Sequence, residues 1–584
     1  MSEVVFRVGG AAGDGVASTA ETFARLCVRG GLYVHTYSSY QSVIRGGHTW
    51  TQVRAAPEPV LCQGEDPNLL LCLNQQTVDI HVPLVRDGGA IVYDDALKLD
   101  GSAVRPGVRL VRLPMRETAQ ALGEATMKNV VALGGALALL DVPFAPLEHS
   151  IRDVFGHKKA DVVEMNLKAA HAGYDAVAND GGALGLGVPY GKVPGRMMMT
   201  GNEAMALGAL AAGVKFHAQY PMTPASGILH WLAANGPRHG VVVKQAEDEL
   251  AVINMAIGAA HAGARSMCAT SGGGFSLMVE ALGEAGMTET PVVVVNVQRT
   301  GPSTGLPTKT EQGDLNLVLG AGQGDWPRAV LAPRNAPEAF ESVWRAFNLA
   351  EVYQTPVIVL SDLYLGEGNR TVERGALDFN VPILRGFLQA EDGDPKAYRR
   401  YRYTESGISP RAFPGMKGYQ FVAGTDEHME SGVLISDVLA GVPEWVEERR
   451  RMMEKRMRKL EGLRRELRPP ELWGAADADL TIVSWGSTQG AVREAIGRLN
   501  GAGRRVNSLE FFDLFPFKAE EAQELLEGAK RTLCVEGNYT GQFAHLLRAE
   551  TGYKVDELLA KYDGEPIEPR EVAARALQVM KHGG

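Results

Sequence analysis

The sequence lacks the cysteine patterns that would place disulfides or a metal cluster in this chain. Its five cysteines, Cys27, Cys62, Cys72, Cys268 and Cys534, are spread over 584 residues, and no two form a C-x-x-C pair. Disulfide frameworks, structural zinc sites and iron–sulfur clusters use closely spaced cysteines. The spacing is typical of a reduced, cytoplasmic protein, and we expect no metal site within the chain itself.

Two further absences exclude classes of function. Positive charge is not in excess, because 59 Lys and Arg residues are outnumbered by 69 Asp and Glu residues, for a formal net charge of -10. Nucleic-acid-binding proteins usually show the opposite balance, so we expect no nucleic-acid partner. The amino-terminal MSEVVFRVGG begins as a strand-like run with no cationic flank or long apolar segment. This predicts neither a signal peptide nor a membrane span.

What the sequence contains is typical of layered α/β domains. Hydrophobic residues make up 45% of the chain, glycine is abundant with 68 residues, and aromatic residues account for only 7%. A chain of this length exceeds a single core, and its alternating strand-like and helix-like segments predict three α/β domains. The predicted parts are an N-terminal domain (1–180), a Gly-rich linker (181–200), a doubly wound parallel-sheet domain (201–375), a connecting arm with a charged helix (376–474) and a C-terminal domain (475–584).

The charged helix of the arm has the sequence EWVEERRRMMEKRMRKLEGLRREL (444–467). Acidic and basic residues alternate along it at spacings that allow ion pairs between neighbouring turns. We predict a solvent-exposed helix rather than a surface that docks a partner.

A strand-to-helix turn in the second domain has an unusual composition. The segment QYPMTPAS (219–226) follows a strand-like run and precedes a short helical pattern. Proline is favoured at the first helical position, so we predict that Pro224 opens the helix and that Thr223 is its N-cap. The hydroxyl of Thr223 is either a cap alone or, in a rigid turn beside unpaired N–H groups, a group that holds an anion or a carbonyl oxygen.

Two charged residues of the same domain follow predicted strands. Glu249 opens the helix DELAVINMAIGAAHAG (248–263), whose small residues indicate close packing, so its carboxylate needs a partner or a raised pKa. Arg299 follows the apolar strand PVVVVNVQ (291–298) and begins a polar loop that ends near Leu315. The planar guanidinium suits a substrate carboxylate, with a structural salt bridge as the alternative.

Two glycine-containing stretches stand out in the N-terminal domain. GGAAGDG (9–15) does not have the G-x-G-x-x-G spacing of a dinucleotide site, and the next strand lacks a terminal acidic residue to hold a ribose. A glycine-rich turn for close packing explains it better. In SYQSVIRGGHT (39–49), Ser42 and Arg45 stand beside paired glycines, an arrangement able to clamp an anionic ligand.

Taken in order, these stretches resemble the 2-oxoacid:ferredoxin oxidoreductases, and in particular the fused γ–α large subunit of the two-subunit type. The resemblance covers nearly the whole chain. It is carried by GGAAGDG, SYQSVIRGGHT, TGNEAMALGALAAGV, YPMTPAS, EDELAVINMAIGAAHAGARSMCATSGGGFSLM, QRTGPSTGLPTKTEQGDL and EGNYTGQFAHLLR.

The resemblance implies a γ-type domain, a thiamine pyrimidine-binding domain and a transketolase C-terminal-like domain. It also implies thiamine diphosphate, Mg²⁺, a [4Fe–4S] cluster and coenzyme A in the complete enzyme. The diphosphate, Mg²⁺ and the cluster are expected mainly on a separate β subunit, without which the chain would be inactive. That arrangement agrees with the scattered cysteines.

The resemblance also implies roles for individual residues. Glu249 corresponds to the glutamate that contacts the aminopyrimidine ring of the cofactor and activates it, with Glu247 as the alternative. Thr223 corresponds to the hydroxyl near the substrate carbonyl, and Arg299 to the clamp on the substrate carboxylate. The remaining positions implied on the substrate or coenzyme A side are Thr308, Ser42, Arg45 and Lys309.

The activity implied is coenzyme A-dependent oxidative decarboxylation of a 2-oxo acid, with electrons passed through the cluster to ferredoxin, and the reverse carboxylation as a second direction. We favour 2-oxoglutarate, with Lys309 or Arg45 holding its second carboxylate. Pyruvate, branched-chain and indole-pyruvate enzymes share these motifs and stay open as alternatives.

Two other classes of function are weighed against this one. A non-catalytic scaffold subunit is disfavoured by the presence of Thr223, Glu249 and Arg299, and a nicotinamide dehydrogenase by the faulty glycine spacing. The expected assembly is a dimer of α–β heterodimers, because two-fold symmetry is the commonest arrangement of soluble oligomers.

Overall fold

The computed structural model describes residues 3–42, 46–156, 159–179, 184, 195–435 and 443–581. The chain forms two compact units, Met1–Met199 with Gly368–Ala376, and Thr200–Glu367 with Leu377–Gly584. Arg45 and most of the predicted linker 181–200 lie outside the described residues. No described helix is both long enough and apolar enough to cross a bilayer.

In the described part of the chain, the first unit contains one eight-stranded sheet and six α-helices. The strands are β1 (Val4–Ala11), β2 (Tyr33–Ser39), β3 (His48–Ala56), β4 (Leu69–Cys72), β5 (Ala90–Asp94), β6 (Arg109–Leu113), β7 (Arg196–Met199) and β14 (Arg370–Glu373). The helices are α1 (Val16–Arg29), α2 (Gln75–His81), α3 (Met115–Ala121), α4 (Lys128–Leu139), α5 (Phe144–Phe155) and α6 (Ala160–Asn179). The strand order is β6-β5-β4-β1-β3-β2-β14-β7.

Two strands of this sheet differ from the prediction. The sequence pattern predicts a polar loop over 39–49 and the next strand only at 69–74, but β3 begins at His48 and runs antiparallel to both β1 and β2. Its polar residues are tolerated in mid-sheet because they are paired: Arg7 Nε donates to Gln52 Oε1 at 2.9 Å, and Arg54 Nε donates to Glu3 Oε2 at 2.7 Å. The second difference is β14, which the sequence analysis placed in the second domain and which pairs here with β2 and β7.

The second unit contains a seven-stranded and a five-stranded sheet. The strands of the larger sheet are β8 (Phe216–Gln219), β9 (Val242–Gln245), β10 (Ser266–Thr270), β11 (Val292–Gln298), β12 (Ala329–Leu331), β13 (Pro356–Asp362) and β18 (Asp513–Phe515). Those of the smaller sheet are β15 (Glu471–Trp473), β16 (Leu480–Trp485), β17 (Val506–Phe511), β19 (Thr532–Glu536) and β20 (Glu557–Ala560).

Among its described residues this unit has twelve α-helices. They are α7 (Gly201–Ala211), α8 (Ser226–Asn235), α9 (Glu249–His261), α10 (Gly272–Met287), α11 (Leu315–Leu319), α12 (Ala336–Tyr353), α13 (Leu363–Glu367), α14 (Pro443–Glu466), α15 (Gln489–Gly501), α16 (Ala519–Glu527), α17 (Gln542–Thr551) and α18 (Pro569–Lys581).

The larger sheet is the parallel sheet that the sequence predicts. Its order is β18-β12-β13-β11-β10-β8-β9, and every pairing except that of β12 with β18 is parallel. The strand β11 is buried along its whole length, as expected for a strand covered on both faces. Because ligands of such sheets bind at the carboxyl ends of the strands, the residues that follow β8, β10 and β11 are placed where a site is expected.

The charged helix α14 is not solvated on all sides, and for one face the prediction is wrong. Lys455 and Lys459 are 1% and 0% exposed, and both pair with the buried carboxylate of Glu289. The opposite face carries the predicted surface pairs, such as Arg450 with Glu447 at 2.7 Å. The buried ion cluster therefore fixes the helix to the end of α10, since Glu289 lies two residues beyond it.

Candidate active site

A cavity of about 840 Å³ opens at the carboxyl edge of the larger sheet. Its walls come from the turn after β8, the start of α10, the loop between β11 and α11, and the loop that precedes α17. The lining residues are Met222, Gly272, Gly273, Ser276, Arg299, Thr300, Gly301, Pro302, Ser303, Thr304, Glu311, Gly313, Asp314, Leu317, Asn538, Tyr539, Thr540 and Gln542. Most are small, hydroxylic or amide residues, so the cavity suits a polar ligand.

Glu249 is buried at the first turn of α9, as the sequence predicts. The preceding Asp248 caps this helix by accepting a hydrogen bond from the N–H of Ala251 at 2.8 Å. The residue is only 3% exposed, and its Oε1 has no hydrogen-bond partner among the described residues. Burial raises the pKa of the Glu249 carboxyl, and the charge of Asp248 adds to the effect, while its own backbone N–H, the hydroxyl of Thr270 and the charge of Arg299 act in the opposite direction. Glu247, the alternative, is exposed.

The space around the Glu249 carboxylate depends on a glycine. A Cβ added to Gly274 in α10 would lie 2.5 Å from Oε1 of Glu249 and would collide with Oγ1 of Thr270. The carboxylate therefore lies against the backbone of the first turn of α10, beside the end of β10. A carboxylate with an unpaired buried oxygen is suited to bind a donor group of a ligand or to exchange a proton with it.

Arg299 follows β11 and lines the cavity. Its Nη1 donates to the backbone carbonyl of Thr223 at 2.8 Å. Burial lowers the pKa of the guanidinium, while the nearby carboxylates of Asp314 and Glu249 raise it, so the group stays a cation. The structure thus brings together Thr223, Glu249 and Arg299.

The predicted capping role of Thr223 is wrong. The helix α8 starts at Ser226 with Ala225 as its N-cap, and Thr223 lies in the turn before it. Two buried amide side chains hold that turn: Asn202 donates to the carbonyl of Pro224 at 2.8 Å, and Gln219 donates to that of Ala225 at 2.9 Å. Because these amides fix the turn, the hydroxyl of Thr223 is not required as a cap.

Asp314 is a site residue that the sequence analysis did not identify. It lines the cavity, and its Oδ2 accepts a hydrogen bond from Nδ2 of Asn296 at 3.1 Å. Its carboxylate lies against the first residue of α10, because a Cβ on Gly272 would come within 2.6 Å of both carboxylate oxygens. Burial raises the pKa of Asp314 to about 6 against the opposing charge of Arg299. The only signal in the sequence is its position at the end of the polar loop that begins with Arg299.

The C-terminal sheet holds that loop in place through Gln312. Its Oε1 accepts from the N–H of Gly537 at 2.8 Å, and its Nε2 donates to the carbonyl of Trp485 at 3.0 Å. Gln542 adds a hydrogen bond from its Nε2 to the carbonyl of Gly313 at 2.8 Å. The motif EGNYTGQF, which the sequence analysis quoted without a role, therefore supplies both lining residues and supports for the loop.

The other predicted site residues lie elsewhere. Thr308 is buried and is not among the residues that line the cavity. Nζ of Lys309 pairs with Glu565, so its charge is already balanced within the chain. Ser42 is an exposed residue of the first unit. Its predicted role, like that of Arg45, stays a prediction.

Comparison with known proteins identifies the family of the chain. Residues 207–448 match a family described as "Pyruvate flavodoxin/ferredoxin oxidoreductase, thiamine diP-bdg", and residues 5–176 match "Pyruvate ferredoxin/flavodoxin oxidoreductase". The subunit alpha of 2-oxoacid:ferredoxin oxidoreductase 2 from Aeropyrum pernix is 34% identical, over 100% of this chain and 98% of the relative. The chain belongs to the 2-oxoacid:ferredoxin oxidoreductases. Within that family it is an alpha subunit with a thiamine diphosphate-binding domain, and a partner subunit is therefore implied.

Two further relatives of this oxidoreductase carry more specific names. The 2-oxoglutarate oxidoreductase subunit KorA of Mycobacterium tuberculosis is 32% identical over 95% of this chain and 88% of the relative. A solved structure of 2-oxoglutarate:ferredoxin oxidoreductase from Magnetococcus marinus, with 2-oxoglutarate, coenzyme A and succinyl-CoA bound, is 34% identical. The match covers 99% of this chain and 100% of the chain in that structure, with a TM-score of 0.91. The overall α/β architecture is thus that of the family.

Proposed function

We propose that this chain is the large subunit of a thiamine diphosphate-dependent oxidoreductase that converts a 2-oxo acid and coenzyme A to an acyl-CoA and CO₂, with electrons passed to ferredoxin. The observation that carries the proposal is the buried carboxylate of Glu249, whose Oε1 lacks a partner among the described residues. It occurs in a domain of the thiamine diphosphate-binding family.

The residues at the site are of the types that the cofactor requires. The protonated and ionised forms of the Glu249 carboxyl offer a donor or an acceptor to a ring nitrogen, and Gly274 leaves room beside it. When bound, thiamine diphosphate supplies the carbon nucleophile and the electron sink for decarboxylation of a 2-oxo acid. Among the described residues, no group of three or more His, Cys, Asp and Glu side chains could hold a metal ion. We assign Mg²⁺ and the [4Fe–4S] cluster to the β subunit.

The side chains of this chain then have separate tasks. Glu249 holds a proton at its carboxylate and exchanges it with the aminopyrimidine ring, for which a pKa raised by burial is favourable. Arg299 binds the substrate carboxylate with the guanidinium donors that its bond to Thr223 leaves available. The hydroxyl of Thr223 contacts the carbonyl of the substrate.

We propose 2-oxoglutarate as the substrate. The support is that KorA of M. tuberculosis is named for 2-oxoglutarate and that the M. marinus enzyme was solved with it. The described lining contains one cation, Arg299, which suffices for one carboxylate. The second carboxylate would require a cation from outside the cavity lining, and Arg45 or the β subunit is our candidate.

The experiment is co-expression of this chain with its β subunit under anaerobic conditions, followed by coenzyme A-dependent dye reduction with 2-oxoglutarate or pyruvate. We expect higher kcat/KM for 2-oxoglutarate and iron in the complex but not in this chain alone. Arg299→Ala should raise KM by about 10- to 100-fold, because a charge-assisted hydrogen bond to the substrate is lost. The control Arg450→Ala, on the outer face of α14, should match the wild type.

Each result has a defined meaning. Preference for pyruvate would leave the reaction class in place and overturn the proposed substrate. An assembled complex without activity on any 2-oxo acid would favour a scaffold role for this chain.

A further inference from the structure

A second carboxylate lies in the same cavity as the proposed substrate clamp. Asp314 and Arg299 both line that cavity, whereas Glu249 does not. The charges of Asp314 and Glu249 both raise the pKa of the Arg299 guanidinium against the effect of its burial. A substrate carboxylate that reaches Arg299 therefore enters a space that already contains the carboxylate of Asp314.

The position of Asp314 leaves it little freedom to move away. Its backbone N–H donates to Oε1 of the buried Gln298 at 3.0 Å, and Asn296 holds one carboxylate oxygen. The other side of the carboxylate is against Gly272, where no side chain intervenes. With the side chain held between β11 and α10, protonation is the available way to remove its negative charge.

The remaining charges around Asp314 do not compensate for a further anion. The charged groups that act on it or on its partner are Arg299, Glu249 on α9, and Glu311 in the same loop. Among the described residues they comprise one cation and two anions besides Asp314 itself. A substrate carboxylate would be a fourth anion for one guanidinium, so binding is favoured if one carboxylate takes up a proton.

We propose that Asp314 takes up a proton from solvent when the carboxylate of a 2-oxo acid binds Arg299, so that substrate binding by this site is coupled to proton uptake. Protonation of Asp314 removes one negative charge from the cavity as the substrate carboxylate enters it. No electrons move, and the proton adds to a carboxylate oxygen of Asp314. The inference rests on the proposed function of Arg299 as the substrate clamp.

The pKa of Asp314, about 6, is consistent with this coupling. At neutral pH the group is mostly ionised before binding, and an added anion near Arg299 would raise its pKa further. The affinity for the substrate should then fall as pH rises above about 6, until the pKa of the complex is passed.

The test is calorimetric titration of the anaerobic α–β holoenzyme with 2-hydroxyglutarate, which has the carbon skeleton of 2-oxoglutarate but cannot be decarboxylated. Titration at neutral pH in two buffers of different ionisation enthalpy gives the number of protons taken up per bound molecule. For the wild type we expect uptake that approaches about one proton. Asp314→Asn keeps an acceptor for Asn296, and its uptake should fall close to zero, with tighter binding than the wild type at pH 8.

The control is Glu311→Gln, which removes the other carboxylate in the cavity lining and should lower the uptake much less than Asp314→Asn does, because Asp314 still accepts the proton. Unchanged uptake in Asp314→Asn, or loss of uptake in Glu311→Gln instead, would overturn the inference while leaving the proposed function intact. Binding without any proton uptake in the wild type would overturn it as well. If the wild type does not bind 2-hydroxyglutarate but turns over another 2-oxo acid, the titration is repeated with the 2-hydroxy analogue of that acid. The presence or absence of proton uptake then supports or overturns the inference in the same way. A holoenzyme with neither binding nor turnover would overturn the proposed function and the inference together.

Discussion

Gly274 is the residue on which the geometry around Glu249 depends most closely. An added Cβ would be 2.5 Å from the carboxylate and would also collide with Thr270. Gly274→Ala should therefore displace the carboxylate, lower activity at least about tenfold and destabilise the fold by about 1–3 kcal/mol. Steady-state turnover and thermal unfolding would measure the two effects.

A matched control lies in the same helix. A Cβ on Gly283 of α10 meets no atom within 4 Å. Gly283→Ala should leave activity unchanged and stabilise the protein by about 0.5–1 kcal/mol, since alanine is the better helix former. Equal activity of the two variants would contradict the account of the space around Glu249.

Asp314 should make stability depend on pH. Its pKa rises from an ordinary 3.8 to about 6 in the fold, so the folded protein binds this proton more tightly than the unfolded chain does. The stability contributed by the protonated Asp314 is fully present below about pH 4 and is lost as pH rises through 6. Asp314→Asn should thus equal the wild type in acid and exceed it by about 1–3 kcal/mol at pH 7–8. Thermal unfolding of both proteins across this pH range is the measurement. A stability difference between Asp314→Asn and the wild type that did not change with pH would contradict the raised pKa of Asp314.

The positions of Glu249, Arg299 and Thr223 near the carboxyl ends of the strands could be predicted from sequence, because short motifs place each one directly after a strand or at a helix start. The position of Asp314 in the cavity lining could not, because it arises from a long loop that returns to the start of α10. Nor could the turn before α8, which has no side-chain cap: Asn202, remote in sequence, and Gln219, just before the turn, donate to its carbonyl oxygens.

At the scale of the elements, the buried ion cluster of α14 allows a specific prediction about stability. Glu289→Gln would leave Lys455 and Lys459 without their shared counter-ion in a buried position. We expect destabilisation by about 3–5 kcal/mol, because an unpaired buried charge is strongly unfavourable. Thermal unfolding of the variant would measure it.

The control for this element is Glu447→Gln on the outer face of the same helix. Its pair with Arg450 is more than half exposed, so the change should stay within about 0.5 kcal/mol. Equal effects of the two substitutions would show that α14 is held by its surface and not by the cluster.

The parallel sheet was predictable because its strands are short apolar runs separated by helical patterns, as in PVVVVNVQ. The strands β3 and β14 were not. In β3 the polar residues Gln52 and Arg54 obscure the apolar pattern expected of a central strand. Their positions in the middle of the sheet are explained by hydrogen bonds with Arg7 and Glu3. In β14 the partners are far away in sequence, His35 on β2 and Met199 on β7 among them. The buried face of α14 was missed because charged residues rarely become fully buried unless they are paired.

For the whole molecule, three α/β sheets and a family relationship over the full length agree with the expected oxidoreductase subunit. The second unit combines the two sheets that contribute to the cavity, with Gln312 and Gln542 linking the loop after Arg299 to the C-terminal sheet. The link between the sheets explains why the resemblance extends to EGNYTGQF and is not confined to the thiamine-binding part.

The measurement that tests the central claim most directly is coenzyme A-dependent turnover of a 2-oxo acid by the α–β complex carrying Glu249→Gln, compared with Glu247→Gln. Both variants remove one carboxylate near the start of α9, but only Glu249 is buried beside α10. We expect Glu249→Gln to lose about 100- to 10,000-fold in kcat and Glu247→Gln to match the wild type. Full activity of an assembled Glu249→Gln complex would contradict the account of this site.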